Sequence, residues 1–444
     1  MPVDVTLQNA KVYTEKGFIK AGIAINNGQI VKIAKETNLP KATTRIDLEE
    51  NLALPGLIDS HVHLRDEQLS YREDFLSGTK AAAAGGVTTV VDMPNNRPLT
   101  MSAQNLRERV RQAETRVLVN VAFNSAFPTN IDEIRRIVDA GAVGFKLYLL
   151  QQLGGVNIDD DEALLDAFKA IGKMKVPIAV HAEDKDTIET AKDNLQTQGR
   201  NDINAFLEAH PPEAEEKAID RVAVLGKKAG AHIHICHLSS ALGLKAVLRA
   251  KRMGCKITSE VTPHHLLLTV QSLKKAGSFA LEIPPLRTRR DVSVLWQALR
   301  KGSIDTIGSD HAPHSLEEKQ AGSIWDVKPG IAGLETMLPL LLTEINRGCL
   351  TIGQLVRLTC EKPAEIFHIL HRGKLKPGFF ADITVVDLKK QHKIDASMFY
   401  SKAKFSPFDG WKVKGKAAKT FVNGQLVMDD GEIVAKPGTG RIIK

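Results

Sequence analysis

The chain has 444 residues, 43% apolar and 25% charged, a composition that excludes disorder, collagen and coiled coil and supplies ample material for a core. Its formal charge of +8 is not spread evenly: residues 1–370 hold 45 basic and 45 acidic side chains, and residues 371–444 hold 15 and 7. Those C-terminal lysines are dispersed singly among Gly, Asp and apolar residues without interleaved aromatics, so the excess reads as a solvated face and not as a nucleic-acid groove.

No run approaches 18 uncharged apolar residues, so no membrane span is expected. The opening Met1-Pro2-Val3-Asp4 lacks the basic and apolar regions of a secretory signal. Cys236, Cys255, Cys349 and Cys360 form no C-x-x-C, which argues against a zinc ribbon and a disulfide framework and points to the cytoplasm.

In chain order, the first strand signal is Ala24–Val31, broken by Asn27-Gly28, and a matching signal, Thr420–Val427, is broken by Asn423-Gly424 near the other end. Asn-Gly between apolar runs marks a hairpin, so both ends are strand-rich and are expected to pair into one small sheet domain. From Pro55 onward, apolar strands alternate with helical patterns. The strands are expected at 56–61, 87–92, 117–122, 143–149, 177–181, 232–237, 256–261 and 304–310. Between them, stretches such as Ala163–Ile171 repeat their apolar residues with helical spacing. This predicts an α/β fold, a (β/α)8 TIM barrel over 55–370 with a composite β-sandwich from 1–54 and 371–444; a doubly wound sheet is the alternative.

Catalytic groups of such a barrel belong at the C-terminal ends of its strands, and the histidines fall there. His61 and His63 close the first strand, and the two-residue period puts them on one face. His181 ends the fifth strand, His237 the sixth and Asp310 the eighth. Lys146 interrupts the apolar strand Gly144–Leu149, where a lysine must snorkel, pair or give up its charge; a neutral amine there can take up carbon dioxide and become an anionic bridging ligand. Four His, one Lys and one Asp suit two zinc-type ions sharing an acidified water, and hence hydrolysis of an amide or ester, or the reverse condensation. Asp310 is placed to move the proton to a leaving nitrogen. Of the remaining histidines, His234 is expected on the strand face opposite the ligand, and His264 and His265 to orient loops; Asp59, Asp92 and Glu260 are expected to support the ligands.

At these residues the sequence resembles the amidohydrolase superfamily, and within it the cyclic amidohydrolases, most closely the dihydroorotases of de novo pyrimidine (UMP) biosynthesis. The motifs are Pro-Gly-Leu-Ile-Asp-Ser-His-Val-His-Leu-Arg (55–65), Asp-Met-Pro-Asn (92–95), Gly-Phe-Lys-Leu-Tyr (144–148), His-Ala-Glu-Asp (181–184), His-Ile-Cys-His-Leu-Ser (234–239) and Ser-Asp-His-Ala-Pro-His (309–314). The resemblance implies that His61 and His63 bind one Zn2+ and that His181 and His237 bind the other. It further implies that Lys146, as N6-carboxylysine, bridges the two and that Asp310 is ligand and general acid/base. Arg65, Asn95 and His314 match the positions that hold the substrate carboxylate. The resemblance also implies a small-molecule substrate and a homo-oligomer, with aspartate transcarbamoylase as a candidate partner.

Three segments depart from the dihydroorotase pattern. Ile283 precedes Pro284-Pro285-Leu286-Arg287 where a polar residue is common, Asp66-Glu67 follows Arg65 in place of Pro-Gly, and Leu150–Gly155 has no lid threonine. Two alternatives therefore stay open. An allantoinase or hydantoinase-like ring opener is favoured by Ile283 and disfavoured by Arg65; a non-catalytic scaffold is disfavoured by the filled ligand positions.

Overall fold

The computed structural model describes residues 2–444. Five strands come first: β1 (Val3–Thr14), β2 (Gly17–Asn26), β3 (Gln29–Ala34), β4 (Ala42–Asp47) and β5 (Leu52–Pro55). Eight strands alternating with helices follow: β6 (Leu57–Val62), β7 (Val87–Asp92), β8 (Asn120–Ala126), β9 (Ala142–Tyr148), β10 (Pro177–His181), β11 (His232–Ile235), β12 (Ile257–Val261) and β13 (Thr306–Ile307). The chain then returns to the first sheet through β14 (Ile383–Lys393), β15 (Lys412–Val422), β16 (Gln425–Asp429) and β17 (Glu432–Ile433).

Strands β6 to β13 pair in parallel and in sequence order. The ring closes where Val62 bridges His311 and the His63 amide donates to the His311 carbonyl at 2.9 Å. The fold is thus the expected parallel eight-stranded barrel with a separate mixed sheet from both termini. Short crossovers need amphipathic helices, and the helix Asp161–Met174 illustrates the pattern: Asp160 caps it, and Leu164, Ala167, Phe168 and Ile171 are buried at helical spacing. The helix Leu334–Asn346 buries Leu338, Leu340, Leu341 and Leu342 and is core.

The terminal sheet is joined through β5, which lies parallel to β1 (Val12 opposite Ala53) and antiparallel to β14 (Val385 opposite Ala53). Leu7, Val12, Ile23, Ile25, Ile383, Val385 and Phe421 form its core. The two Asn-Gly turns are left-handed at both residues, with φ of 50° and 74° at Asn27-Gly28 and 50° and 80° at Asn423-Gly424, as a two-residue hairpin with matching twist requires. They pack on each other so closely that a Cβ on Gly28 would stand 2.7 Å from the Asn423 carbonyl oxygen.

The third barrel strand is displaced from its expected position, starting at Asn120. Val117 accepts from the amides of Gly438 and Gly440, and Val121 exchanges hydrogen bonds with Arg441 and Ile443. The last residues of the chain therefore run beside β8 below the point where β9 begins. No helix among the described residues is long and apolar enough to cross a membrane.

Candidate active site

All six side chains singled out as ligands converge at the C-terminal mouth of the barrel. His61, His63, Lys146, His181, His237 and Asp310 line one cavity of about 90 Å³. His61 Nε2 and His63 Nε2 stand 3.3 and 3.1 Å from Asp310 Oδ1, and His181 Nδ1 stands 3.0 Å from His237 Nε2. Lys146 Nζ lies 3.5 Å from His61 Nε2 and 3.2 Å from Cys236 Sγ. Each of the six is buried.

Partners behind the rings fix which nitrogen faces the centre. His61 donates Nδ1–H to Glu260 (2.8 Å), His63 donates Nδ1–H to the Asn95 amide oxygen (2.6 Å), and His181 donates Nε2–H to Glu183 (2.8 Å). The lone pairs left over are Nε2 of His61 and His63 and Nδ1 of His181, all aimed inward, as metal-ligating imidazoles require. Asp59 joins the first and last barrel strands by accepting the amides of His61 and Ser309. Asp92 accepts the Leu64 amide and the Arg109 guanidinium, anchoring the turn between His63 and Arg65.

The electrostatics suit cations. Burial lowers His237 well below its ordinary value, lowers His181, and lowers His63 to about 3, so these rings are neutral donors. Burial opposes the charge on Asp310, but His61 and His63 outweigh it and hold the carboxyl well below the usual range. Burial likewise pulls His61 down, and Asp310, Cys236 and Glu260 together more than offset it, raising that ring well above its ordinary value. Positive charge is therefore favoured where His61, His63 and Asp310 meet, with ligand atoms within 4.8 Å of one another. Lys146 has no ion pair among the described residues, an expensive place for an ammonium and a fitting one for an amine converted to a carbamate. The donor set thus fits two divalent ions.

Of the proposed substrate contacts, Arg65 and His314 meet, Nη2 to Nε2 at 3.5 Å, and Asn95 lies beside His63. Arg65 is 6% exposed, and its Nε has no hydrogen-bond partner. It makes no ion pair among the described residues. Burial and Arg72 lower its guanidinium to about 10, which leaves it cationic at neutral pH. His314, lowered to about 3 by burial, is turned by Glu318 at 3.2 Å.

The backbone is strained here. Arg65, Asp66 and Glu67 are left-handed (φ 54°, 59° and 53°), as are His237 (35°) and Asp310 (46°), each costing roughly 1–3 kcal/mol in a non-glycine residue. Asp66 holds the first turn by accepting the Glu67 and Phe75 amides.

Several neighbours are given no individual role by the sequence. His210 pairs with the far oxygen of Glu183 at 3.0 Å, and only its residue type hints at this. Tyr148 and Glu282 line the cavity beside Ile283. His234 departs from expectation: its ring lies inside the barrel beneath the site, 2.9 Å from Thr258 Oγ1 and 3.9 Å from Glu260.

Comparison with known proteins agrees with this geometry. Residues 52–427 match the Amidohydrolase family. The chain is 34% identical to an L-hydantoinase of Paenarthrobacter aurescens over 99% of this chain and 98% of that one. It is 36% identical to a dihydroorotase of Methanothermobacter thermautotrophicus over 99% and 97%. The solved L-hydantoinase (dihydropyrimidinase) from Arthrobacter aurescens superposes with a TM-score of 0.95 at 34% identity, covering 99% of both chains. With a barrel whose mouth gathers this ligand set and relatives aligned along its whole length, the chain belongs to the amidohydrolase family, as a hydrolase of its cyclic amidohydrolase group.

Proposed function

We propose that the enzyme is a zinc-dependent dihydroorotase, closing N-carbamoyl-L-aspartate to (S)-dihydroorotate and reopening it in pyrimidine biosynthesis. The observation that carries this reading is Arg65, a buried cation with no counter-ion, beside His314 at the wall of the cavity. Leaving a buried charge uncompensated is costly, and a substrate carboxylate removes that cost in bidentate geometry. A hydantoin without a carboxylate leaves Arg65 unpaired.

In this reading His61 and His63 would hold one zinc and His181 and His237 the other, with Lys146, as its carbamate, and Asp310 as further ligands. Bound there, a pair of divalent ions supplies the Lewis acidity that makes water nucleophilic near neutral pH. Asp310, ionised by its histidine neighbours, accepts the proton of the attacking water and returns it to the ring nitrogen as the C–N bond breaks. Ring closure runs the same transfer backwards. Asn95 keeps its Oδ1 for His63, and its amide N–H groups are left for the substrate.

All of these residues lie within 55–370, so we assign catalysis to that unit and an accessory role to 1–54 and 371–444. The resemblance to dihydroorotases supports a cytoplasmic homo-oligomer, with aspartate transcarbamoylase as the candidate partner. A second reading, a hydantoinase-like ring opener, is favoured by apolar Ile283 and Leu153 on the cavity wall. The test is turnover by protein prepared with zinc and bicarbonate: interconversion of dihydroorotate and N-carbamoyl-L-aspartate is expected, and hydrolysis of allantoin or hydantoin without it overturns the assignment.

A further inference from the structure

We propose that Glu282 determines specificity by accepting a hydrogen bond from an N–H of the cyclic ureide. The inference rests on the ring-opening reaction above, but not on which ureide is opened.

Glu282 is 4% exposed and lines the cavity with His61 and Asp310. One carboxyl oxygen accepts its own neighbour's amide, Ile283 N–H, at 2.8 Å. The other has no partner, and Glu282 makes no ion pair among the described residues. A buried acceptor left unmet is costly, so the oxygen awaits a donor. The backbone on either side is clamped. The Lys319 ammonium, itself 0% exposed, is spent on the carbonyls of Leu281 (3.2 Å), Lys328 (3.1 Å) and Gly330 (2.9 Å). Beyond Ile283, His265 donates Nε2–H to the Pro284 carbonyl at 2.9 Å. Glu282 is therefore presented on a fixed segment.

The chemistry of the cavity selects the donor. Arg65 offers N–H groups and suits an anion. A ureide ring carries carbonyl groups, which need donors, and N–H groups, which need an acceptor. Ile283 offers none from its side chain, and the Asn95 oxygen is occupied by His63. Tyr148 also lines the cavity, but its hydroxyl donates as well as accepts; the free oxygen of Glu282 is the carboxyl acceptor left without a partner, and it is placed to meet an N–H. The residue thus supplies, one position earlier in the chain, the polar contact that Ile283 lacks.

The competing occupant is a further cation held by Glu282, His264 and Asp310, whose ligand atoms lie within 4.8 Å of one another. One experiment separates the two. The kcat/KM of wild type, Glu282→Gln and Glu282→Leu is measured on dihydroorotate and on its N1-methyl and N3-methyl derivatives, and likewise on hydantoin, with zinc content and melting temperature followed in parallel. Glu282→Leu is expected to lose about 30-fold in kcat/KM, mainly through KM, with zinc unchanged; Glu282→Gln, which keeps a carbonyl acceptor, recovers most of it. One of the two N-methyl groups should cost wild type at least about tenfold and cost Glu282→Leu almost nothing. Equal methylation penalties in both proteins, or loss of an equivalent of zinc in Glu282→Leu, overturns the inference. If neither ureide is turned over, the reaction assignment fails by itself, and calorimetric binding of the same compounds to the same variants decides Glu282.

Discussion

Lys146 Nζ stands 3.5 Å from His61 Nε2 inside the barrel mouth, and its other close neighbour is the thiol of Cys236 at 3.2 Å. No carboxylate compensates it. In the proposed function the same side chain, as a carbamate, would be the anion that completes the ligand set. Lys146→Met should therefore lose at least about 1,000-fold in kcat and retain less zinc, since it removes a ligand and not a mere contact. Zinc analysis beside turnover checks this; full zinc content with full activity contradicts it.

In the proposed function Arg65 carries the choice of substrate. Arg65→Met should lower kcat/KM for dihydroorotate by about 30- to 5,000-fold, the 2–5 kcal/mol typical of truncating one side of a buried charge pair. Turnover of hydantoin, if present, should change far less. Parallel kinetics on the two substrates decide it, and an equal loss on both assigns Arg65 to structure alone.

Glu260 holds His61 through Nδ1 at 2.8 Å and accepts Ser60 Oγ–H at 2.7 Å. Glu260→Gln weakens the donor's orientation without emptying the space. The expected result is a 10- to 100-fold fall in zinc affinity or activity, read by chelator competition.

Much of this site is legible in the sequence because strand period and barrel geometry both act locally. His61 and His63 share a face through the two-residue period, and the strand-end position of His181 follows from where its apolar run stops; Asp310, expected to end its strand, lies three residues beyond β13. His234 breaks that logic. Strand β11 ends at Ile235, and the left-handed His237 (φ 35°) resets the alternation, so counting back three residues gives the wrong face. Glu282 and His210 are hidden for another reason: their contacts are set by loops, whose course no periodicity encodes. The paired Asn-Gly turns are legible singly, while their packing on each other depends on β5 joining the two ends of the chain.

Stability should carry its own pH signature away from the metal centre. Burial raises Glu335 from 4.5 to about 7, against the opposing hydrogen bonds from the Tyr400 and Ser401 amides. A carboxyl with a raised folded-state pKa binds its proton more tightly in the folded than in the unfolded chain. Its contribution is intact below about pH 4.5 and is lost as pH rises toward about 7, by at most about 3 kcal/mol. Glu335→Gln should flatten the fall in stability between pH 5 and pH 7.5 relative to wild type, measured by denaturant unfolding. Parallel slopes in the two proteins contradict the assignment.

The convergence of His61, His63, Lys146, His181, His237 and Asp310 on two ions is tested most directly by anomalous diffraction at the zinc edge from crystals grown with zinc and bicarbonate. Two peaks are predicted, one against His61 and His63 and one against His181 and His237, with continuous density from Lys146 Nζ between them. A single peak, or two peaks with Lys146 unmodified and bound to neither, would contradict it.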